Sequence, residues 1–186
     1  MRENKPICGP EEVFSFWFQV CSREDWFRSS AELDREIGRR FQDTHRILAG
    51  AVPEAWRRSP ESMLSAVILF DQFPRNIYRG TPLAFATDGL ALREAKAALE
   101  QGADLAVPQH CRAFFYMPFE HSEDIAEQER SVELFGALGD EEYLDFAERH
   151  RDVIARYGRF PHRNAILGRL STAEELEYIS RPGSGF

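Results

Sequence analysis

Apolar residues recur at helical spacing along this chain from about residue 10 to residue 180. Residues three and four apart line one stripe of a helix, and such a stripe marks the face that is buried. Pro10, Glu11 and Glu12 open the aromatic run VFSFWF. Proline and acids suit a first turn, which predicts a helix at about 10–21. Ser29-x-x-Glu32 reads as a capping box and starts a helix that runs to about Leu48. Ser59-Pro60 starts another, with Leu64, Val67, Ile68 and Asp71 on one face. Pro74 lacks an N–H and its ring crowds the preceding turn, so this helix is expected to end or kink near Gln72–Phe73. Asp88 reads as the cap of a helix striped by Ala91, Ala95, Ala98 and Leu99 and closed by Gly102. Val107–Tyr116 predicts a helix that stops before Pro118. Ser122 starts one carrying Ile125, Gln128, Val132 and Phe135, which stops near Gly139. Asp140 caps a long helix that holds Phe146, His150 and Ile154 on one face and ends at Gly158. Thr172-x-x-Glu175 is a last capping box.

No segment alternates strictly, and β-branched residues are sparse, so no strand is expected. The pattern is that of an all-α protein: a single-domain array of antiparallel helices over 1–186, with its core at about 10–180 and flexible ends at 1–9 and 181–186.

Composition narrows the function classes. Hydrophobic residues are 43% and charged residues 29%, an ordinary globular mix, and 15 phenylalanines point to an aromatic core. The net charge of −8 argues against general binding to a nucleic-acid backbone. Cys8, Cys21 and Cys111 are odd in number and widely spaced, which disfavours a disulfide framework or a thiolate metal site. No charged-then-apolar leader and no run of membrane-spanning length occurs, so a cytoplasmic, soluble protein is expected. A Walker loop, Gly-x-Gly-x-x-Gly and Gly-x-Ser-x-Gly are all absent, and no cofactor is expected.

Candidate chemistry lies where polar residues sit on apolar stripes. Asp71, Gln128 and His150 do so, and each needs an interior partner, because an unpaired buried polar group costs about 1–3 kcal/mol. Partners are available in two loops. One is FDQFPRNIYR, with Arg75 and Asn76. The other, within His150–Arg169, packs two histidines and five arginines and includes Arg159, His162, Arg163 and Asn164. Glu120 and His121 follow the Pro118 break. Asp71 is either an internal ion-pair member or a carboxylate orienting another group. His150 is either a core histidine or a general base. The arginines either neutralise buried acids or receive an anion. No His-x-x-x-His or His-Glu-x-x-His spacing supports a metal site, and none is expected.

Three longer segments carry a resemblance: LFDQFPRNIYRGTPLAFATDGLAL (69–92), FFYMPFEHSEDIAEQE (114–129) and HRDVIARYGRFPHRNAILGRLSTAEE (150–175). In these the chain resembles the bacterial domain-of-unknown-function family numbered 924, from about residue 12 to 180. One departure is Phe119, where that pattern has a smaller apolar residue. The resemblance implies an all-helical fold similar to a tetratricopeptide-repeat superhelix, and no established activity, substrate or cofactor.

The first functional expectation is a helical binding protein. Its concave face, lined by Arg75, Asn76, Gln128, Arg159, His162, Arg163 and Asn164, would receive a small anion or acidic peptide. The alternative is a small-molecule enzyme with His121 or His150 as acid/base, Asp71 or Glu120 as its orienting carboxylate, and an arginine clamp. In a third reading the polar cluster is structural.

Overall fold

The computed structural model describes residues 7–28 and 30–183. Among the described residues there are helices and no strand, as the spacing requires. These residues group into two compact units. One runs up to Arg79 and resumes over Leu83–Pro118; the other joins Gly80–Pro82 to the chain from Phe119 onward.

The first unit begins with α1 (Pro10–Ser15), which continues as a π-helical turn over Phe16–Val20. A short α2 (Arg23–Phe27) follows, which the apolar spacing does not foretell. Its Ser22/Asp25 capping box is enough to start it. In α3 (Ala31–Leu48) the capping side chain is Ser30, which accepts from the Leu33 N–H; the expected cap, Ser29, lies outside the described residues. In α4 (Pro60–Ile77) Ser59 caps as expected. Then come α5 (Asp88–Glu100) and α6 (Gln109–Glu120), whose last two residues belong with the second unit. Asp88 is the first helical residue of α5 and Thr87 its N-cap. Helix α4 is the centre of this unit: α1, α3 and α5 pack on it, and every residue from Ser62 to Pro74 is buried. Phe16, Phe41 and Phe73 meet there, with Phe41 and Phe73 ring centroids 4.7 Å apart.

The expected stop before Pro118 is corrected, as is an end of the helix near Gln72–Phe73. Helix α4 continues through Pro74 to Ile77, and α6 through Pro118 to Glu120. At Pro74 the reason is visible. The ring removes the donor that would serve the Phe70 carbonyl, and the Thr87 hydroxyl donates to that carbonyl instead, at 2.7 Å.

The second unit contains α7 (Ile125–Leu138), α8 (Glu141–Tyr157), a 3₁₀ turn at Pro161–Arg163, α9 (Asn164–Leu167) and α10 (Ala173–Ile179). The cap of α7 is Asp124 rather than Ser122; the Ser122 hydroxyl instead accepts from the Asp124 N–H one turn earlier. Helices α7 and α8 pack together across the Gly139–Asp140 turn, where Gly139 takes φ +77°. Val153, Ile154 and Phe160 form a core cluster, against which Tyr157 and Tyr178 lie. The expected flexible ends, 1–9 and 181–186, extend over residues 1–6 and 184–186, which are outside the described ones.

Candidate functional site

In the first unit, burial is complete for Asp71, as its place on the α4 stripe requires. Its carboxylate accepts from Gln72 Nε2 and lies 3.5 Å from Arg75 Nη1. The same guanidinium makes a fork to Asp88 at 2.9 and 3.1 Å, so Arg75 joins the end of α4 to the start of α5. Asn76 donates to Asp34 at 2.8 Å, and Arg79 forks the same carboxylate at 2.6 and 2.8 Å. Asp34 and Asp88 are partners that helical spacing could not reveal, since Asp34 lies 42 residues before Asn76.

In the second unit, Glu120, His121, Gln128 and His150 come together with the loop after α8. Glu120 and His150 are each 6% exposed, and Glu120 Oε1 stands 3.1 Å from His150 Nδ1. Nδ1 also faces the Phe146 carbonyl at 2.8 Å. A carbonyl can only accept, and Nδ1 carries at most one hydrogen, so that hydrogen goes to Phe146. The Glu120 contact is therefore electrostatic, and Oε1 accepts no hydrogen bond among the described residues. The His121 ring lies 6.4 Å from His150, centroid to centroid. Phe160 packs edge-on against His150 at 5.5 Å and beside His162 at 5.6 Å, with the Arg163 guanidinium 4.5 Å from its ring centroid. Burial, then the positive charge of Arg163, holds the His162 imidazole down to about 4.

Gln128 is fully buried on the α7 stripe. Its Nε2 donates to the carbonyls of Glu120 and Ser122, both at 2.6 Å, and so ties α7 to the turn that carries Glu120 and His121. Those acceptors fix the carboxamide orientation. Its Oε1 is buried and accepts no hydrogen bond among the described residues.

The arginine loop is held by carboxylates. Arg159 forks Glu175 at 2.6 and 2.8 Å, and that fork holds the Glu175 carboxyl down to about 2. Arg169 forks Glu123 at 2.6 and 2.9 Å and donates to Asn164 Oδ1 at 2.9 Å. Glu123 also accepts from the Phe160 N–H at 2.7 Å. Burial pushes its carboxyl up, but the Arg169 fork and the Phe160 donor outweigh that and hold it below the usual value. Asn164 donates to Ser171 at 3.0 Å. Glu123 and Glu175 were legible in the sequence only as acids in first turns; both also anchor the loop.

Among the described residues no group of three or more His, Cys, Asp or Glu is placed to hold a metal ion. The three thiols are free, and burial pushes those of Cys21 and Cys111 up to about 11, far from thiolate chemistry at neutral pH. No helix is long and apolar enough to cross a membrane, among the described residues.

The family model described as bacterial protein of unknown function (DUF924) matches residues 13–183. The chain belongs to this family. A solved structure of a protein of unknown function from Agrobacterium tumefaciens is 43% identical and superposes with a TM-score of 0.88, covering 92% of this chain and 96% of that one. The family resemblance read from residues 69–92, 114–129 and 150–175 is thus shown. No curated protein matches the chain.

Proposed function

We propose that this DUF924 chain binds a small polar molecule within residues 119–186 and exchanges a proton with it through His150. The observation that carries this reading is the Glu120–His150 contact of 3.1 Å between two buried ionisable side chains. The bond from Nδ1 to the Phe146 carbonyl orients the ring and leaves the lone pair of the neutral imidazole on Nε2. Glu120 Oε1 stands beside the ring that would take the proton and helps to hold its orientation. Positioned acid–base groups of this kind contribute rate factors of about 10²–10⁴. His121 supplies a second imidazole nearby.

The expected arginine clamp for an anion or acidic peptide has less support. Arg75 and Arg159 each commit a guanidinium fork to a carboxylate, Asp88 and Glu175. These pairs favour a scaffold role for that part of the polar cluster: the loop is braced internally, and the acid–base group stands on the brace.

The experiment is a thermal-shift and turnover screen of small acids, amines, amides and sugars against the wild-type chain, His150→Ala and Arg163→Ala. His150→Ala should keep the wild-type Tm within a few degrees and lose every ligand that shifts the wild type. If both variants lose several kcal/mol of stability and the wild type responds to nothing, these residues are scaffold.

A further inference from the structure

His150 is 6% exposed, so a ligand reaches it only if something moves. The ring packed edge-on against it at 5.5 Å is Phe160, from the chain between Gly158 and Gly168. Both glycines take φ +67°, a conformation that favours glycine and suits a pivot. Between them stand a three-residue 3₁₀ turn and the one-turn helix α9, elements too short to hold themselves. Polar ties hold the segment instead: Arg159 to Glu175, the Phe160 N–H to Glu123, and Asn164 to Arg169 and Ser171. Its member of the apolar core cluster is Phe160. Segments built this way open locally at lower cost than the fold as a whole.

His162 sits in the 3₁₀ turn, its ring 5.6 Å from Phe160. It is faced by Arg163 from its own turn, His150 from α8, Glu123 ahead of α7 and Arg169 after α9. Helix α10 packs on the same turn. Its Tyr178 lies on the Phe160 cluster, and its acids Glu174, Glu175 and Glu177 are paired with Arg156, Arg159 and Arg181. An imidazolium at this place loses water and gains the Arg163 guanidinium as a neighbour. Once the segment has lifted away, water surrounds the ring and both costs fall.

We propose that residues 159–167 are a strap over His150 that opens when His162 is protonated, and that acid so admits the ligand to the Glu120–His150 group. The strap rests on the proposed site for its purpose and adds how that site is reached; its opening is read without a ligand, so either idea can fail alone. The sign follows from where the proton is better held. The His162 ring takes its proton at about 4 in place and at 6.5 in water, so between those values each opening takes up one proton from solvent, and acid favours it. From pH 7.5 to pH 5 the open fraction should rise about 25-fold.

The test is amide hydrogen exchange of the full chain at pH 7.5 and pH 5, each rate corrected for the exchange of an unstructured chain at that pH. The probes are the Phe160 N–H, bonded to Glu123, and the Arg163 N–H, bonded to the Phe160 carbonyl. Both should exchange faster than the amides in the middle of α7 and α8, and their opening should rise about 25-fold at pH 5. His162→Gln, which has no titrating ring, should remove that rise. His45→Gln should leave it in place, because His45 lies in the other unit. If His162→Gln does not fold, the wild type and His45→Gln still decide. Three results overturn the strap: opening of the two amides only together with α7 and α8, equal opening at the two pH values, or a rise that survives His162→Gln. Each leaves the proton exchange proposed for His150 to its own ligand screen. A strap that opens as expected, in a chain that no ligand shifts, overturns the proposed site while the acid-driven opening stands.

Discussion

The Thr87 hydroxyl donates to the Phe70 carbonyl at 2.7 Å, and Phe70 is the residue whose helical partner Pro74 removes. Thr87 can do this because it also accepts: His45 Nε2 lies 3.2 Å from its Oγ1. The His45 Nδ1 in turn faces the Tyr78 hydroxyl at 3.4 Å. A proline in the interior of α4 is thus answered by a short chain of side-chain donors running from Tyr78 through His45 to Thr87.

Replacing Thr87 with Val keeps the shape and leaves both the Phe70 carbonyl and His45 Nε2 without that partner. The expected loss is about 1–3 kcal/mol, measured by urea unfolding, with Thr87→Ser losing less because the hydroxyl remains. A Thr87→Val variant as stable as wild type would mean that the Phe70 carbonyl is served in another way.

Stability should fall on acidification in two stages. Burial holds the His45 imidazole down to about 4, against 6.5 for an ordinary histidine, and His162 is also held at about 4. Above pH 6.5 both rings are neutral in the folded and unfolded chain alike. Between pH 6.5 and 4 the unfolded chain takes up protons that the folded one refuses. Stability therefore drops by at most about 1.4 kcal/mol per pH unit for each ring. The Glu175 carboxyl, held at about 2 by Arg159, contributes stability that is present above 4.5 and lost as pH falls from 4.5 toward 2. Urea midpoints should be flat above pH 7 and decline from 6.5 downward, and His45→Gln should flatten the upper stage. A wild-type curve flat from pH 7 to pH 4 would contradict the burial of these rings.

Arg169 and Glu123 should behave as a coupled pair. Both are about a quarter exposed, at 25% and 28%, so solvent screens them in part. Arg169→Ala should cost about 1–3 kcal/mol and loosen the loop around Phe160, because Glu123 then keeps the Phe160 N–H but loses its guanidinium fork. A double-mutant cycle with Glu123→Gln should return a coupling energy of about 1 kcal/mol or more. Additive single effects would show that the fork braces nothing.

Much of the helical pattern was legible because burial follows spacing. Asp71, Gln128 and His150 were picked out as polar groups on apolar stripes, and all three are buried. The helix ends expected at Pro74 and Pro118 do not occur, because local propensity says nothing of a donor such as Thr87, which reaches Phe70 from 17 residues away. The partners of the arginines were illegible for a related reason. Glu123 meets Arg169 across 46 residues and Asp34 meets Arg79 across 45, and a chain with 31 acids offers no way to choose among them. The bond from His150 to the Phe146 carbonyl is four residues long and sits within one helix, yet the sequence does not say which ring nitrogen would make it.

If Glu120 serves the proposed chemistry rather than stability, the Tm of Glu120→Met at pH 8 reveals it without knowledge of the ligand. A buried carboxylate oxygen that accepts no hydrogen bond is poorly compensated for the water it has lost. The expected result is a Tm unchanged or raised by a few degrees, with His150 still ordered. A loss of about 3 kcal/mol or more, roughly 6–12 °C for a chain of this size, would contradict it and place Glu120 in the scaffold.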